Sequence, residues 1–304
     1  MILSYIAILW ANAIGLPFIL RSFFGSTFQF GFDYEIAGFH VWFGEILIVF
    51  AVLIIGALIC LRRKLASNIM IIMCVLLILG VSVCFVAALV GHDADTAVFE
   101  PAFSSENTPL VGILTIFTLA PWAFAGFESV SHSAQEAKFP LKKTFRILVI
   151  ALISAGAVYI ILALLSSMAQ PEGAANWQEY VNGLGSTYSE GVVRHPPFFA
   201  ADTFLGRLGR YLMGFAAAFG IFTGVIGNYI ALSRLLHNMS ADKMMPKWFG
   251  KTDRHNVPRN AILATLLVSF VIPFFGRAAI SWIVDATTVG ATIAYAFTSA
   301  SALK

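Results

Sequence analysis

The segment Leu119–Ser129 places a proline, a glycine and an acid within one apolar stretch. Pro121 removes a backbone hydrogen bond and clashes with the preceding turn, and Gly126 permits backbone angles that other residues avoid. Together they predict an interrupted helix, whose freed N–H and C=O groups must bond protein, water or a ligand. We expect the carboxylate of Glu128 to lie below the interruption, where a buried acid is a functional candidate. The alternative is a helix-end glutamate near the polar boundary.

Aromatic and amide side chains in apolar stretches each have two interpretations. Trp122 and Phe124 either stack over a bound ammonium group or side chain, or pack as ordinary aromatic residues. Asn12 and Asn228 either line a polar cavity or bond a neighbouring helix. The small residues near Asn228 are expected to let two helices approach closely, and they are Gly220, Gly224 and Gly227.

A second acid and several hydroxyls lie in the last apolar stretches. Asp285 either faces a polar interior together with Thr287 and Thr288, as a second coupling or gating group, or lies near the outer interface. Thr223, Thr287 and Thr288 could form a sodium site together with main-chain carbonyls. We expect no metal site and no catalytic residues.

The amino-acid composition indicates what kind of secondary structure carries these side chains. Of 304 residues, 59% are hydrophobic and 12% are charged, whereas soluble domains have about 25% charged residues. Apolar runs of roughly 20 residues can cross the hydrocarbon layer as helices. The sequence therefore predicts an all-α integral membrane protein, a single transmembrane domain over residues 1–304. Its eight expected spans are 1–20, 41–61, 68–90, 109–131, 146–168, 209–233, 260–276 and 279–303.

The basic residues predict the orientation of the spans. Of the 19 Lys and Arg residues, 14 fall in loops on one side, which is therefore expected to be cytoplasmic. The other five lie on the predicted outer side, and they are Arg21, Arg194, Arg207, Arg210 and Arg277. The long loop 169–203 lies on that side too, either as a cover over an outer vestibule or as a plain solvated loop. We expect a multi-pass protein of the cell membrane (the inner membrane in a prokaryote), in contact with the lipid bilayer.

Several classes of function are excluded. The basic residues form no stripe that could follow phosphates, which argues against nucleic-acid binding. No phosphate-binding loop of the Gly-x-x-x-x-Gly-Lys-Ser/Thr type is present, which argues against ATP-driven pumping. The three cysteines are interpreted as small apolar packing residues and are Cys60, Cys74 and Cys84. We expect no cofactor.

Two regions resemble the amino acid–polyamine–organocation transporters. The segment Pro121–Ser129, with its Phe-x-Gly-x-Glu pattern, and the stretch Gln135–Pro140 are similar to that family's sixth helix and the loop after it. Ser233–Phe249 and Val257–Ala261 resemble the loop after its eighth helix. The resemblance implies the LeuT-like fold, in which five helices are repeated with inverted topology. The eight spans would be the third to tenth helices, so the chain would be a fragment without the first two and the last helices.

The resemblance also implies roles for particular residues. In that family the broken first and sixth helices hold the substrate together. Here the substrate would contact Trp122, Ala123, Phe124, Ala125 and Gly126, with Trp122 as an aromatic gate. Glu128, next to the break at Pro121, would be a proton-responsive coupling group. Asn12 and Asn228 would lie on the pocket wall.

The leading hypothesis is therefore secondary active transport of an amino acid or related amine. Substrate would bind at the broken helix 119–129, with alternating access coupled to a proton or sodium gradient or to exchange. One alternative is a membrane fragment that does not transport. The other is an intramembrane enzyme that uses Glu128 and His132 as acid and base, because residues four apart share a helix face.

Overall fold

Helices make up most of the computed structural model, which describes residues 1–91, 99–103, 108–129, 141–188 and 191–302. The ten α-helices of the described residues are α1 (Ile2–Phe24), α2 (Phe43–Cys60), α3 (Arg63–Gly91), α4 (Pro109–Ala123), α5 (Leu141–Ser167), α6 (Trp177–Asn182), α7 (Pro196–Leu205), α8 (Arg207–Ala241), α9 (Arg259–Ser269) and α10 (Ala278–Ala302). Short 3₁₀ helices follow α1 and α9, at Gly25–Phe28 and Ile272–Phe275.

Each predicted span overlaps one helix, but the bounds differ. Six helices of the described residues are long and apolar enough to cross a membrane, namely α1, α2, α3, α5, α8 and α10. Helix α4 and the segment Arg259–Phe275 are apolar but shorter. Helix α8 is longer than its predicted span, because it continues through the mixed polar and apolar residues 234–241. The count of eight crossings and their orientation stay predictions.

Helix α8 is the centre of the bundle and packs against α1, α2, α3, α7 and α9. Its side chains Val225, Ile226 and Tyr229 are fully buried, and Tyr229 donates a hydrogen bond to the Leu53 carbonyl of α2. Close approach needs small residues, as the sequence predicts. A Cβ added at Gly224 would collide with the Asn12 amide of α1, so these two helices touch through that glycine.

A β-hairpin that the sequence did not predict joins α1 to α2. Strands β1 (Asp33–Ile36) and β2 (Phe39–Trp42) pair antiparallel, with Asp33 opposite Trp42. The two turn residues, Ala37 and Gly38, both have positive φ, as a type I′ turn requires. The Tyr34 hydroxyl donates to the Phe274 carbonyl and fixes the hairpin against the 3₁₀ helix after α9. We call this end of the bundle the hairpin end.

The loop 169–203 is structured rather than merely solvated. It contains α6 and most of α7, and Tyr180 within it is fully buried and donates to the Val193 carbonyl. The Trp177 indole N–H donates to the Pro101 carbonyl at 2.9 Å. These contacts order the described part of the loop, and its role as a cover over an outer vestibule stays a prediction.

Candidate functional site

The end of α4 is the centre of the candidate site. The helix contains Pro121 and ends at Ala123, and residues 124–128 form consecutive turns. Gly126 has φ of +109°, which no α-helical residue adopts, so the helix cannot continue through it. The N–H of Ser129 then bonds the Gly126 carbonyl at 3.0 Å. The chain therefore leaves the helical path where proline and glycine predict an interruption.

The carboxylate of Glu128 is held by donors from three segments. Tyr5 of α1 donates its hydroxyl to Oε1 at 2.8 Å, and Tyr295 of α10 donates to Oε2 at 3.1 Å. The Gly126 N–H of the turn donates to Oε2 at 3.0 Å. These three groups are all donors, which matches the acceptor oxygens of a carboxylate. We call Glu128, Tyr5 and Tyr295 the carboxylate cluster. It joins the turn to two separate helices.

Aromatic contacts fix the turn on both sides. The Tyr159 hydroxyl of α5 donates to the Ala123 carbonyl at 2.6 Å, which satisfies one of the carbonyls left free at a helix end. Phe124 packs edge-to-face on the same tyrosine, with ring centroids 5.6 Å apart. Phe127 packs against Tyr295, with centroids 5.9 Å apart. Phe124 thus packs on α5, and Phe127 packs on α10.

Two buried hydroxyls lie on the helices that supply the carboxylate cluster. Ser4 of α1 and Thr287 of α10 are 3% and 0% exposed, and neither hydroxyl has a hydrogen-bond partner among the described residues. Gly290 faces Ser4, since an added Cβ would lie 2.9 Å from its oxygen. Buried hydroxyls normally bond a partner or an ordered water. Each of these two hydroxyls therefore has bonding capacity that the described residues do not use.

The remaining polar candidates bond their own helices. Asn12 donates to the Ile8 carbonyl at 2.8 Å, and Asn228 donates to the Gly224 carbonyl at 2.7 Å. Their amides lie on α1 and α8, which pack together. Both side chains are half-buried, and their place on a pocket wall stays a prediction.

The threonine and aspartate candidates lie on two helices, α8 and α10, and the sodium site stays a prediction. Thr223 bonds the Phe219 and Gly220 carbonyls of its own helix, and Thr288 bonds the Val284 carbonyl. Asp285 is exposed on α10. His132 and the stretch Gln135–Pro140 lie outside the described residues.

Sequence reasoning missed three tyrosines of the site. Tyr5, Tyr159 and Tyr295 all donate their hydroxyls to the turn or to its acid. A signal was present, because a tyrosine inside an apolar helix usually finds a hydrogen-bond partner. The sequence could not say that the partner is Glu128, which is 123 residues from Tyr5 and 167 residues from Tyr295.

The long apolar helices, with an interrupted helix and an acid held between them, define the class as a multi-pass α-helical membrane protein. A sequence model described as amino acid permease matches residues 1–304. The chain belongs to the amino acid permease family, which confirms the resemblance to the amino acid–polyamine–organocation transporters. The family has the LeuT-like fold of inverted helical repeats, so the predicted fold class and membrane localisation are confirmed.

Similar proteins with curated names are transporters rather than enzymes. The branched-chain amino acid permease BcaP of Lactococcus lactis is 28% identical over 175 residues, which are 55% of this chain and 33% of the relative. The arginine/ornithine antiporter ArcD2 of the same organism is 25% identical over 190 residues, 60% of this chain and 34% of the relative. The glutamate/serine transporter AimA of Bacillus subtilis is 30% identical over 158 residues, 51% of this chain and 28% of the relative. The matches thus span about a third of the relatives' lengths.

Proposed function

We propose that the protein is a secondary active transporter of an amino acid or a related amine, with its substrate site at the turn after α4. The observation that carries the proposal is the carboxylate cluster. An interrupted helix and an acid occur together, and the acid is held by tyrosines of two other helices. A change at the acid would therefore reach α1 and α10 directly. Family membership and the names of the similar transporters support the same class of function.

The turn offers groups that suit both ends of an amino acid. The N–H of Phe127 and the carbonyls of Phe124 and Ala125 have no hydrogen-bond partner among the described residues. A substrate carboxylate would accept from the N–H, and a substrate ammonium group would donate to the carbonyls. Trp122 would cover the bound solute from the preceding turn of α4. Binding at such a break satisfies backbone groups that lipid cannot.

Glu128 is proposed as the coupling group. Protonation would turn one carboxylate oxygen into an O–H donor, so the group that now donates to that oxygen would have to rotate and accept instead, or separate from it. The hydrogen bonds to Tyr5 and Tyr295 would then change, and so would the contact of the turn with α1 and α10. This gives a route from a proton to the helix packing around the substrate. A sodium gradient or exchange of one solute for another are the other energy sources consistent with the class.

Uptake by proteoliposomes tests the proposal. Radiolabelled leucine, arginine, serine and glutamate would be offered, with and without a proton or sodium gradient. We expect accumulation of at least one of them above protein-free liposomes, and faster counterflow when the same solute fills the lumen. Absence of uptake and of counterflow for a broad amino acid and amine panel would contradict the proposal and favour a fragment that does not transport.

A further inference from the structure

Three arginines surround one phenylalanine at the hairpin end of the bundle. The guanidinium carbons of Arg21, Arg194 and Arg277 lie 5.7, 5.8 and 5.0 Å from the ring centroid of Phe18. Arg277 also lies 4.9 Å from the ring of Phe39 on β2. The three arginines come from the end of α1, the loop before α7 and the residue before α10. They are three of the five basic residues that the charge distribution predicts on the outer side.

Among the described residues, a carboxylate balances only one of these three charges. Glu45 of α2 forms a two-pronged ion pair with Arg21. No described carboxylate lies within ion-pair distance of Arg194 or Arg277. Burial, together with the charges of the neighbouring arginines, lowers the pKa of both guanidinium groups. A bound anion would relieve this repulsion.

His195 lies beside the cluster and adds no charge at neutral pH. Burial, and then the charges of Arg194 and Arg277, lower its pKa to about 4, so the imidazole is neutral above that value. Its Nε2 is buried and has no hydrogen-bond partner among the described residues. A neutral imidazole can present a donor N–H at one of its two ring nitrogens. The cluster therefore includes a polar group with unused bonding capacity.

A cavity large enough for a small solute opens at these side chains. Its volume is about 590 Å³, and its walls include Phe18, Phe39, Arg194, His195 and Arg277. Cavities of several hundred Å³ are typical of small-molecule sites. A smaller adjoining cavity reaches Arg21 and Glu45. The two arginines without a described carboxylate partner thus border the larger space.

We propose that Arg194 and Arg277 form a binding site for the carboxylate of a small anionic solute, such as a dicarboxylic amino acid, at the predicted outer mouth of the protein. Both guanidinium groups lie against the ring of Phe18, and their N–H groups can donate two parallel hydrogen bonds to a carboxylate. Arg21 adds positive potential, but its guanidinium donors already form the two-pronged ion pair with Glu45. Binding at this site needs no part of the turn at residues 124–128. Its role in delivering a solute for transport rests on the proposed function.

Calorimetric titration of purified protein in neutral detergent at low salt tests the site. The probes are L-glutamate and its uncharged analogue L-glutamine. The variants are Arg194→Gln and Arg277→Gln, and the matched control is Arg207→Gln, an exposed arginine outside the cavity. We expect glutamate to bind the unmodified protein, glutamine to bind at least about tenfold more weakly, and each cavity variant to lose about tenfold in glutamate affinity. The control should stay within about twofold.

Several results would overturn the site. Among them are no glutamate binding, equal binding of glutamate and glutamine, and an equal loss in the Arg207→Gln control. Because Arg194 lies in a loop, its variant remains informative if Arg277→Gln fails to fold, and unfolding temperatures would identify that case. If glutamate does not bind while proteoliposomes still take up a neutral amino acid, the arginine site is refuted and the proposed transport function stands.

Discussion

Replacing Tyr5 by phenylalanine tests the carboxylate cluster, because it removes one oxygen and leaves the ring. The lost hydroxyl is donated at 2.8 Å to Glu128 from a side chain that is 1% exposed. A hydrogen bond to a charged group contributes about 1.5–3 kcal/mol, whereas a neutral one contributes about 0.5–1.5 kcal/mol. We therefore expect Tyr5→Phe to lower the free energy of unfolding by about 1.5–3 kcal/mol. The matched control is Tyr229→Phe, which removes an equally buried hydroxyl that donates to a neutral carbonyl at 3.2 Å.

A double-mutant cycle isolates the contact with the acid. In the Glu128→Gln background the acceptor is neutral, so Tyr5→Phe should cost about 1 kcal/mol less than it does in the unmodified protein. The measurement is denaturant unfolding in one detergent, followed by circular dichroism for all four proteins. Equal costs for Tyr5→Phe and Tyr229→Phe, together with no coupling to Glu128→Gln, would refute the inference that a charged acid is held between the helices.

Three further substitutions test the turn and the packing of α2 against α8. Gly126→Ala should destabilise the protein by about 1–2 kcal/mol in thermal unfolding, because φ at this position is +109°. Trp122→Ala should raise the half-saturation concentration for uptake of the identified substrate by about 2- to 10-fold, and an unchanged value would make Trp122 a plain packing residue. Gly56→Ala should cost about 1–3 kcal/mol, because the added carbon would lie 2.5 Å from the Val225 side chain. Its control is Gly156→Ala on α5. The added carbon would have no neighbouring atom within 4 Å, so this substitution should be neutral or slightly stabilising.

The parts of the fold that depend on local sequence could be predicted. Pro121 and Gly126 act on their own backbone, so the end of α4 was expected within a few residues. The apolar runs predicted where helices lie, because lipid leaves backbone groups few other partners. They predicted the helix ends less well, because the apolar run ends at residue 233 while α8 continues to Ala241. An α-helix bonds its own backbone groups, so it can continue beyond the apolar run that predicts it.

The parts that depend on long-range packing could not be predicted. The sequence identified Glu128 as a buried acid but gave no partner for it, because Tyr5 and Tyr295 meet it only after α1, α4 and α10 have packed. The same holds for the arginines around Phe18, which were recognised only as exceptions to the charge distribution. The hairpin was missed because its strands are only four residues each, too short for a clear alternating pattern.

The central claim is that the acid beside the interrupted helix couples a proton to solute movement. The most direct measurement is substrate uptake by proteoliposomes from about pH 5 to about pH 8, comparing Glu128→Gln with Glu172→Gln, an exposed glutamate of the loop 169–203. The account predicts that Glu128→Gln alone flattens the dependence of uptake on pH, because glutamine cannot exchange a proton. A Glu128→Gln protein whose uptake follows pH as the unmodified protein does would contradict it.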